Sequence, residues 1–263
     1  MRRFMMMIAC LPTLAMAAPQ TVAYGTDPAE QMDIYRPERP RGPVILMVHG
    51  GGWAHGDKAG RGVITNKMPH YRDAGIVFVS INYPMMPQAN PLQQAQSVAK
   101  AVAYAQAHAH EWGGDARQLV LMGHSAGAHL VALIGAKPSM LAQNVAAVVA
   151  LDSAAYHVET IMRMPHLGLY DRAFGEDVAL WAASSPATQL EAGSPPFLLV
   201  CSSTRRVACR QAEAFAAQVQ GRGGQAQVLP QALSHGEIND RLGLPGAYTA
   251  AVDAFLAAHA GTR

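Results

Sequence analysis

Charged side chains are scarce in this chain: they make up 14% of its 263 residues, against about 25% in an average soluble domain. Neither sign dominates, with 20 Lys and Arg against 18 Asp and Glu. That balance excludes the basic excess on which nucleic-acid binding depends. Aromatic residues are few, 6% of the chain, and no row of them marks a platform for stacking on sugars. The apolar run at residues 4–15 is interrupted at Pro12 and Thr13. It is too short to span a bilayer, so no stable membrane anchor is expected. Apolar content, by contrast, is high: 50% of the residues are hydrophobic. That is too much for disorder. The length is enough for one large domain with its own core, without a metal or staple to hold it.

Residues 1–17 read as a secretory signal peptide: Arg2-Arg3, the apolar run, then Ala15-Met16-Ala17 as a small-x-small cleavage site. Cleavage is expected after Ala17, with export to the periplasm or beyond. Met7-Ile8-Ala9 ahead of Cys10 is a poor lipoprotein signal, and the apolar run continues past it. Loss of Arg2 and Arg3 leaves the remaining chain formally neutral. Cys10 leaves with the leader, and Cys201 and Cys209 remain. An even pair in an exported chain reads as a disulfide, the alternative being two free thiols.

Beyond the leader, short apolar runs alternate with Ala-rich stretches of helical length. The runs are 44–48, 76–81, 119–122, 145–151 and 197–200, with a weaker one at 226–229. Runs this short, continuous and bounded by turn residues suit strands buried on both faces of a parallel sheet. The helical stretches are 92–110, 126–136, 211–220 and 247–259. The pattern predicts one α/β domain, residues 18–263, with a doubly wound, mostly parallel sheet and helices on both faces. Residues 31–35 alternate in polarity and are expected to start an antiparallel edge hairpin. The interval 153–196 breaks the rhythm. It is either a lid inserted over a pocket or a crossover helix with ragged ends.

Two glycine-rich stretches carry chemistry. Gly123-His124-Ser125-Ala126-Gly127 follows a strand and precedes a helix, the setting a nucleophile elbow requires. There Ser125 projects from a tight turn, and the helix N-terminus with the free N–H of Ala126 favours an oxyanion. His49-Gly50-Gly51-Gly52-Trp53, at the end of the first buried strand, brings bare backbone close to a ligand. Together with Asn82-Tyr83 and Gly113-Gly114-Asp115, these stretches resemble the α/β-hydrolase fold. Within it, the chain resembles in particular the esterase/lipase branch that includes hormone-sensitive-lipase-like carboxylesterases and kynurenine formamidases. The likeness covers most of the chain after the leader, with the motifs in the family's order and spacing. It implies an oxyanion hole built from backbone N–H groups at Gly51, Gly52 and Ala126.

After Ser125 the histidines are His129, His157, His166, His235 and His259. His235 lies in a polar loop just past the last weak strand, where the family places its general base. The acid departs from the family pattern. Members usually carry an Asp a few residues beyond the strand that here ends near Val200, yet residues 201–209, Cys-Ser-Ser-Thr-Arg-Arg-Val-Ala-Cys, hold no carboxylate. Asp152, at the end of the preceding strand, is the expected substitute, as in a few lipases of this fold. Glu237 and Asp240 are alternatives, close in sequence to His235 but poorly placed to reach its far nitrogen. A further reading makes Asp152 a turn or helix cap.

The reading that follows is a serine carboxylic-ester hydrolase with a Ser125-His235-Asp152 triad, acting on small to medium acyl or aryl esters. Trp53, Met85, Met86, His124 and parts of 153–196 are expected to line the substrate site. No cofactor is implied, and the histidines are not spaced as a zinc set. Arylformamidase, polysaccharide deacetylase and feruloyl esterase are alternatives on the same fold. A binding protein that lost its acid is an alternative from a different class.

Overall fold

The apolar runs assemble into a single eight-stranded sheet in the computed structural model, which describes residues 18–262. The expected signal peptide lies outside the described residues. In chain order the strands are β1 (Gln20–Ala23), β2 (Gln31–Tyr35), β3 (Gly42–Val48), β4 (Val77–Ile81), β5 (Gly114–His124), β6 (Ala147–Leu151), β7 (Phe197–Ser202) and β8 (Ala226–Gln231). The helices are α1 (Arg61–Ile64), α2 (Lys67–Asp73), α3 (Pro91–His108), α4 (Ala126–Ala136), α5 (Val158–Met162), α6 (Gly168–Phe174), α7 (Val178–Ala183), α8 (Arg206–Gly221), α9 (His235–Arg241) and α10 (Ala247–Ala260).

The sheet order is β1-β2-β4-β3-β5-β6-β7-β8. β3 to β8 are mutually parallel, and β1 and β2 are antiparallel to their neighbours. β2 does not start an edge hairpin, as its alternation suggested. It closes a hairpin begun by β1 and then pairs with β4, so the edge falls to β1.

Strand periodicity divides the core in two. Val44, Leu46 and Val48 of β3 point to one face, with Val98 and Val102 of α3 and Leu130 of α4 in the same cluster. Ile45 and Met47 point to the other, with Met68 of α2 and Val252 and Leu256 of α10. Every residue of α4 is buried. The segment 153–196 contains no strand and winds through α5, α6 and α7. It does not stand apart from the core: Tyr156, Val158, Phe174 and Leu190 join the cluster that holds α3 and α4.

Parallel pairing brings the C-terminal ends of β3, β5, β6, β7 and β8 to one edge of the sheet, the usual place for a ligand crevice in such folds. At the end of β7, Cys201 and Cys209 form a disulfide with Cα atoms 5.1 Å apart. The bridge closes a short loop between the strand end and the first turn of α8. Replacing both cysteines with Ala should therefore cost roughly 2–3 kcal/mol of unfolding free energy by loop-closure entropy, read from urea denaturation. Unchanged stability would show that the bridge constrains nothing in the unfolded chain.

Candidate active site

Ser125 stands in the turn between β5 and α4 with φ 56° and ψ −117°, a backbone conformation that L-residues rarely adopt. Strain of this kind, on the order of 1–3 kcal/mol, persists only where the surroundings enforce it. Here β strands do so from both sides. The Ser125 N–H donates to Leu151 O of β6 at 2.9 Å. A Cβ on Gly127 would sit 2.2 Å from Val48 O of β3, so only glycine lets α4 start this close to the sheet.

His235 is the first residue of α9. Its helix start is set by a capping box, in which Ser234 accepts from the Glu237 N–H and Glu237 accepts from the Ser234 N–H. That engagement removes Glu237 from consideration as the partner of His235. Ser125 Oγ lies 2.9 Å from His235 Nε2. On the far side of the ring, His235 Nδ1 lies 2.6 Å from Asp152 Oδ2. The side chain expected from the strand end, and neither Glu237 nor Asp240, thus meets the histidine.

Asp152 also has positive φ, 56°, and is 1% exposed. Its Oδ1 accepts the Ser202 N–H at 2.8 Å. Its Oδ2 is shared with Arg205, whose Nη1 stands 2.7 Å from His235 Nδ1, so two donors converge on one oxygen. Burial alone would raise the pKa of this carboxyl. The His235 and Ser202 hydrogen bonds and the Arg205 charge outweigh it and hold Asp152 below its ordinary value. Neither Ser202 nor Arg205 was identified from sequence. The signal available was the pair Arg205-Arg206 in the stretch where an acid was sought.

Two further residues hold His235 in place. His124 Nε2–H donates to His235 O at 3.0 Å, with the two rings 4.5 Å apart. Lys67, 1% exposed, donates to the carbonyls of Gly62 and Asn239 and to Asn239 Oδ1, tying α9 to α1. His124 does reach the cavity wall, but its Nε2 is committed to the backbone of His235.

The glycine turn after β3 faces Ser125. Gly51 has φ 121° and Gly52 φ 59°. Ala54 and His55 N–H both donate to Gly51 O, which curls the backbone, while a Cβ on Gly52 would meet open space. Asn82-Tyr83 anchors this loop: Tyr83 stacks on His49 at 4.6 Å and donates to His49 O. Asn82 accepts from Lys58 N–H and donates to Asp57. Across from the turn, Ala126 is the first residue of α4, so its N–H has no acceptor within the helix.

These groups open into a cavity of about 710 Å³, walled on the outer side by Leu167, Leu169 and Tyr170. Trp53 lines it but is 3% exposed. Its ring lies edge-on to Phe174 at 5.0 Å, and its Nε1–H donates to His129 Nδ1 at 3.1 Å. Trp53 thus joins the glycine turn, α4 and α6. Met85 is not on the cavity wall, contrary to expectation. The chain after β4 turns back, Met86 N–H donates to Trp53 O, and Met85 and Met86 pack against the core instead.

The BD-FAE family profile matches residues 32–219. Over 118 residues the chain is 36% identical to Esterase LipC of Mycobacterium tuberculosis, covering 43% of this chain and 28% of that protein. Over 236 residues it is 27% identical to Esterase LipQ of the same organism, covering 79% of this chain and 54% of that protein. The matches thus span between about a quarter and about half of these relatives' length. A solved structure of Thermogutta terrifontis esterase 2 phosphonylated by sarin superposes with a TM-score of 0.77 at 20% identity. That match covers 93% of this chain and 96% of that one. At that identity the likeness is one of fold, and the fold is that of the α/β-hydrolases.

Two buried histidines give the site region a pH dependence. Burial pushes His124 down to about 3, helped by the nearby His235, and His129 down to about 4. His129 is fully enclosed, its Nε2–H donating to Ser184 O while Nδ1 accepts from Trp53, so a second ring proton would face a donor. A histidine with its folded pKa below its unfolded value binds fewer protons when folded. Its stability contribution is complete above about pH 6.5 and is lost as pH falls toward the folded value. Each should remove roughly 2 kcal/mol between about pH 7.5 and pH 5. His129→Gln should be less stable at the higher pH and lose less on acidification, by denaturant titration. An equal acid loss in the variant would exclude His129 as its source.

Proposed function

Since the chain belongs to the BD-FAE family of α/β-hydrolase esterases, we propose that it is a serine carboxylic-ester hydrolase acting on small to medium acyl or aryl esters. The observation that carries this reading is the unbroken relay from Ser125 Oγ through His235 to Asp152, with separations of 2.9 and 2.6 Å. His235 Nε2 takes the Ser125 proton as Oγ attacks the ester carbonyl. The carbonyl oxygen becomes an oxyanion held by the N–H groups of Gly51, Gly52 and Ala126. One strong donor of this kind is worth about 3–4 kcal/mol of barrier. Asp152 keeps the Nδ1–H tautomer and stabilises the imidazolium. His235 then returns the proton to the leaving alcohol. Water, deprotonated by His235, hydrolyses the acyl-enzyme. Every step is carried by groups of the chain itself.

The place of action in this proposal is the periplasm or the cell exterior. The leader-like residues 1–17 support it, and so does the Cys201–Cys209 bridge, since disulfides persist in oxidising compartments.

Hydrolysis of p-nitrophenyl esters from acetate to laurate tests the reading. The protein should turn over the shorter esters and be labelled by a fluorophosphonate. Ser125→Ala should lose both properties. Asp152→Asn should lower kcat roughly ten-thousand-fold by leaving the imidazole in the wrong tautomer. Full activity in Asp152→Asn would remove that residue from the triad. Inertness of the wild type toward every ester and toward the fluorophosphonate would refute the hydrolase.

A further inference from the structure

Beside the cavity above Ser125 lies a second one of about 740 Å³, and the two share Ala154, Leu167, Tyr170 and Arg205 as a common wall. Its lining is apolar at the rim, where Met164, Leu167 and Val207 are 55%, 64% and 52% exposed. Its charged wall is of one sign. Arg205, Arg206 and Arg210 line it with His157 and His166, and no Asp or Glu does.

Most of these groups already have partners. Arg205 is held by Asp152, His157 by Glu159 and His166 by Asp171. Arg206 and Arg210 form no ion pair or side-chain hydrogen bond among the described residues. They stand one turn apart on the same face of α8, in the first half of the helix, where no acidic residue occupies the first turn. Like charges at that spacing repel, and cations there oppose the helix dipole. The pair therefore works against the helix that carries it. The disulfide nevertheless fixes the segment in place, because Arg205 and Arg206 lie inside the loop it closes and Arg210 adjoins it.

We propose that this second cavity is a specificity subsite for esters whose acyl or alcohol chain is apolar and ends in a carboxylate. The apolar wall takes the chain, and Arg206 and Arg210 take the carboxylate. Charge complementarity supports this occupant, as does continuity with the cavity at Ser125. The inference rests on the esterase reading above. Arg205, already engaged by Asp152, lies in the wall common to the two cavities.

Two pairs of probes test it. Mono-p-nitrophenyl suberate and p-nitrophenyl octanoate differ by a charge on the acyl chain. Acetoxyoctanoate, esterified at its terminal hydroxyl, and octyl acetate differ by a charge on the alcohol chain. In at least one pair, the wild type should favour the charged ester about tenfold in kcat/KM, as charge-assisted hydrogen bonds provide. The gain should lie in KM, since the contact is equal in ground and transition states. It should fade at about 1 M salt, where the screening length falls to roughly 3 Å. In Arg206→Gln/Arg210→Gln the charged-to-neutral ratio should drop to about one, and the double Lys variant should retain part of it. The pair that responds identifies which half of the ester enters the cavity. A ratio near one in both pairs for the wild type, or one unchanged in the Gln variant, overturns the proposal. If no ester at all is hydrolysed, the esterase reading has failed instead. Calorimetric binding of octanoate against octanamide, in wild type and Gln variant, then still decides whether the cavity selects the anion.

Discussion

A carboxylate taken out of water stays ionised only if donors replace the water, and the organisation of the site follows from that demand at Asp152. The side chain is 1% exposed, and its two oxygens receive the Ser202 N–H, the His235 ring and the Arg205 guanidinium. Each donor comes from a different part of the chain: the end of β7, the start of α9 and the loop leading into α8. One buried charge thus specifies how three segments must converge. The requirement is energetic as well as geometric, since an unpaired buried charge costs several kcal/mol.

The other side of the site is built by exclusion. Ser125 can stand in its strained turn because Gly127 lets α4 approach β3, and Tyr83 and Asn82 hold the glycine turn opposite. Trp53 extends this rigidity outward by joining the glycine turn to α4 and α6. Phe174 of α6 is wholly buried against it, so the segment 153–196 shares the main core even as it roofs the cavity. Ser125, His235 and Asp152 are therefore positioned by packed elements on most sides.

Much of this was legible in the residues, and for identifiable reasons. The buried parallel strands announced themselves as continuous apolar runs, because a strand covered on both faces has no polar side. The serine and glycine motifs were legible because the backbone there tolerates few residue types. Asp152 was legible as a strand end, although the usual location held no acid. The misses share a different cause. The helices α1 and α2 are four and seven residues long, too short for a periodic pattern. α8 begins at Arg206 rather than near Gln211; among its first five residues only Ala208 is fully buried, so the segment offers little apolar periodicity to read. Met85 was misplaced because the path of the chain after β4 depends on a contact with Trp53 that is remote in sequence.

Local features, then, were determined by the sequence alone: the serine turn between strand and helix, the histidine loop after the last strand, the glycine turn and the alternation that makes the sheet. Such features depend on neighbours a few residues away, and their residue types are nearly irreplaceable in that role. Only the tertiary structure decided which carboxylate meets His235, that Arg205 shares it, and that Arg206 and Arg210 wall a second cavity beside the first. Those relations join residues some thirty to eighty positions apart, and they arise only when parallel strands bring their C-terminal ends to one edge.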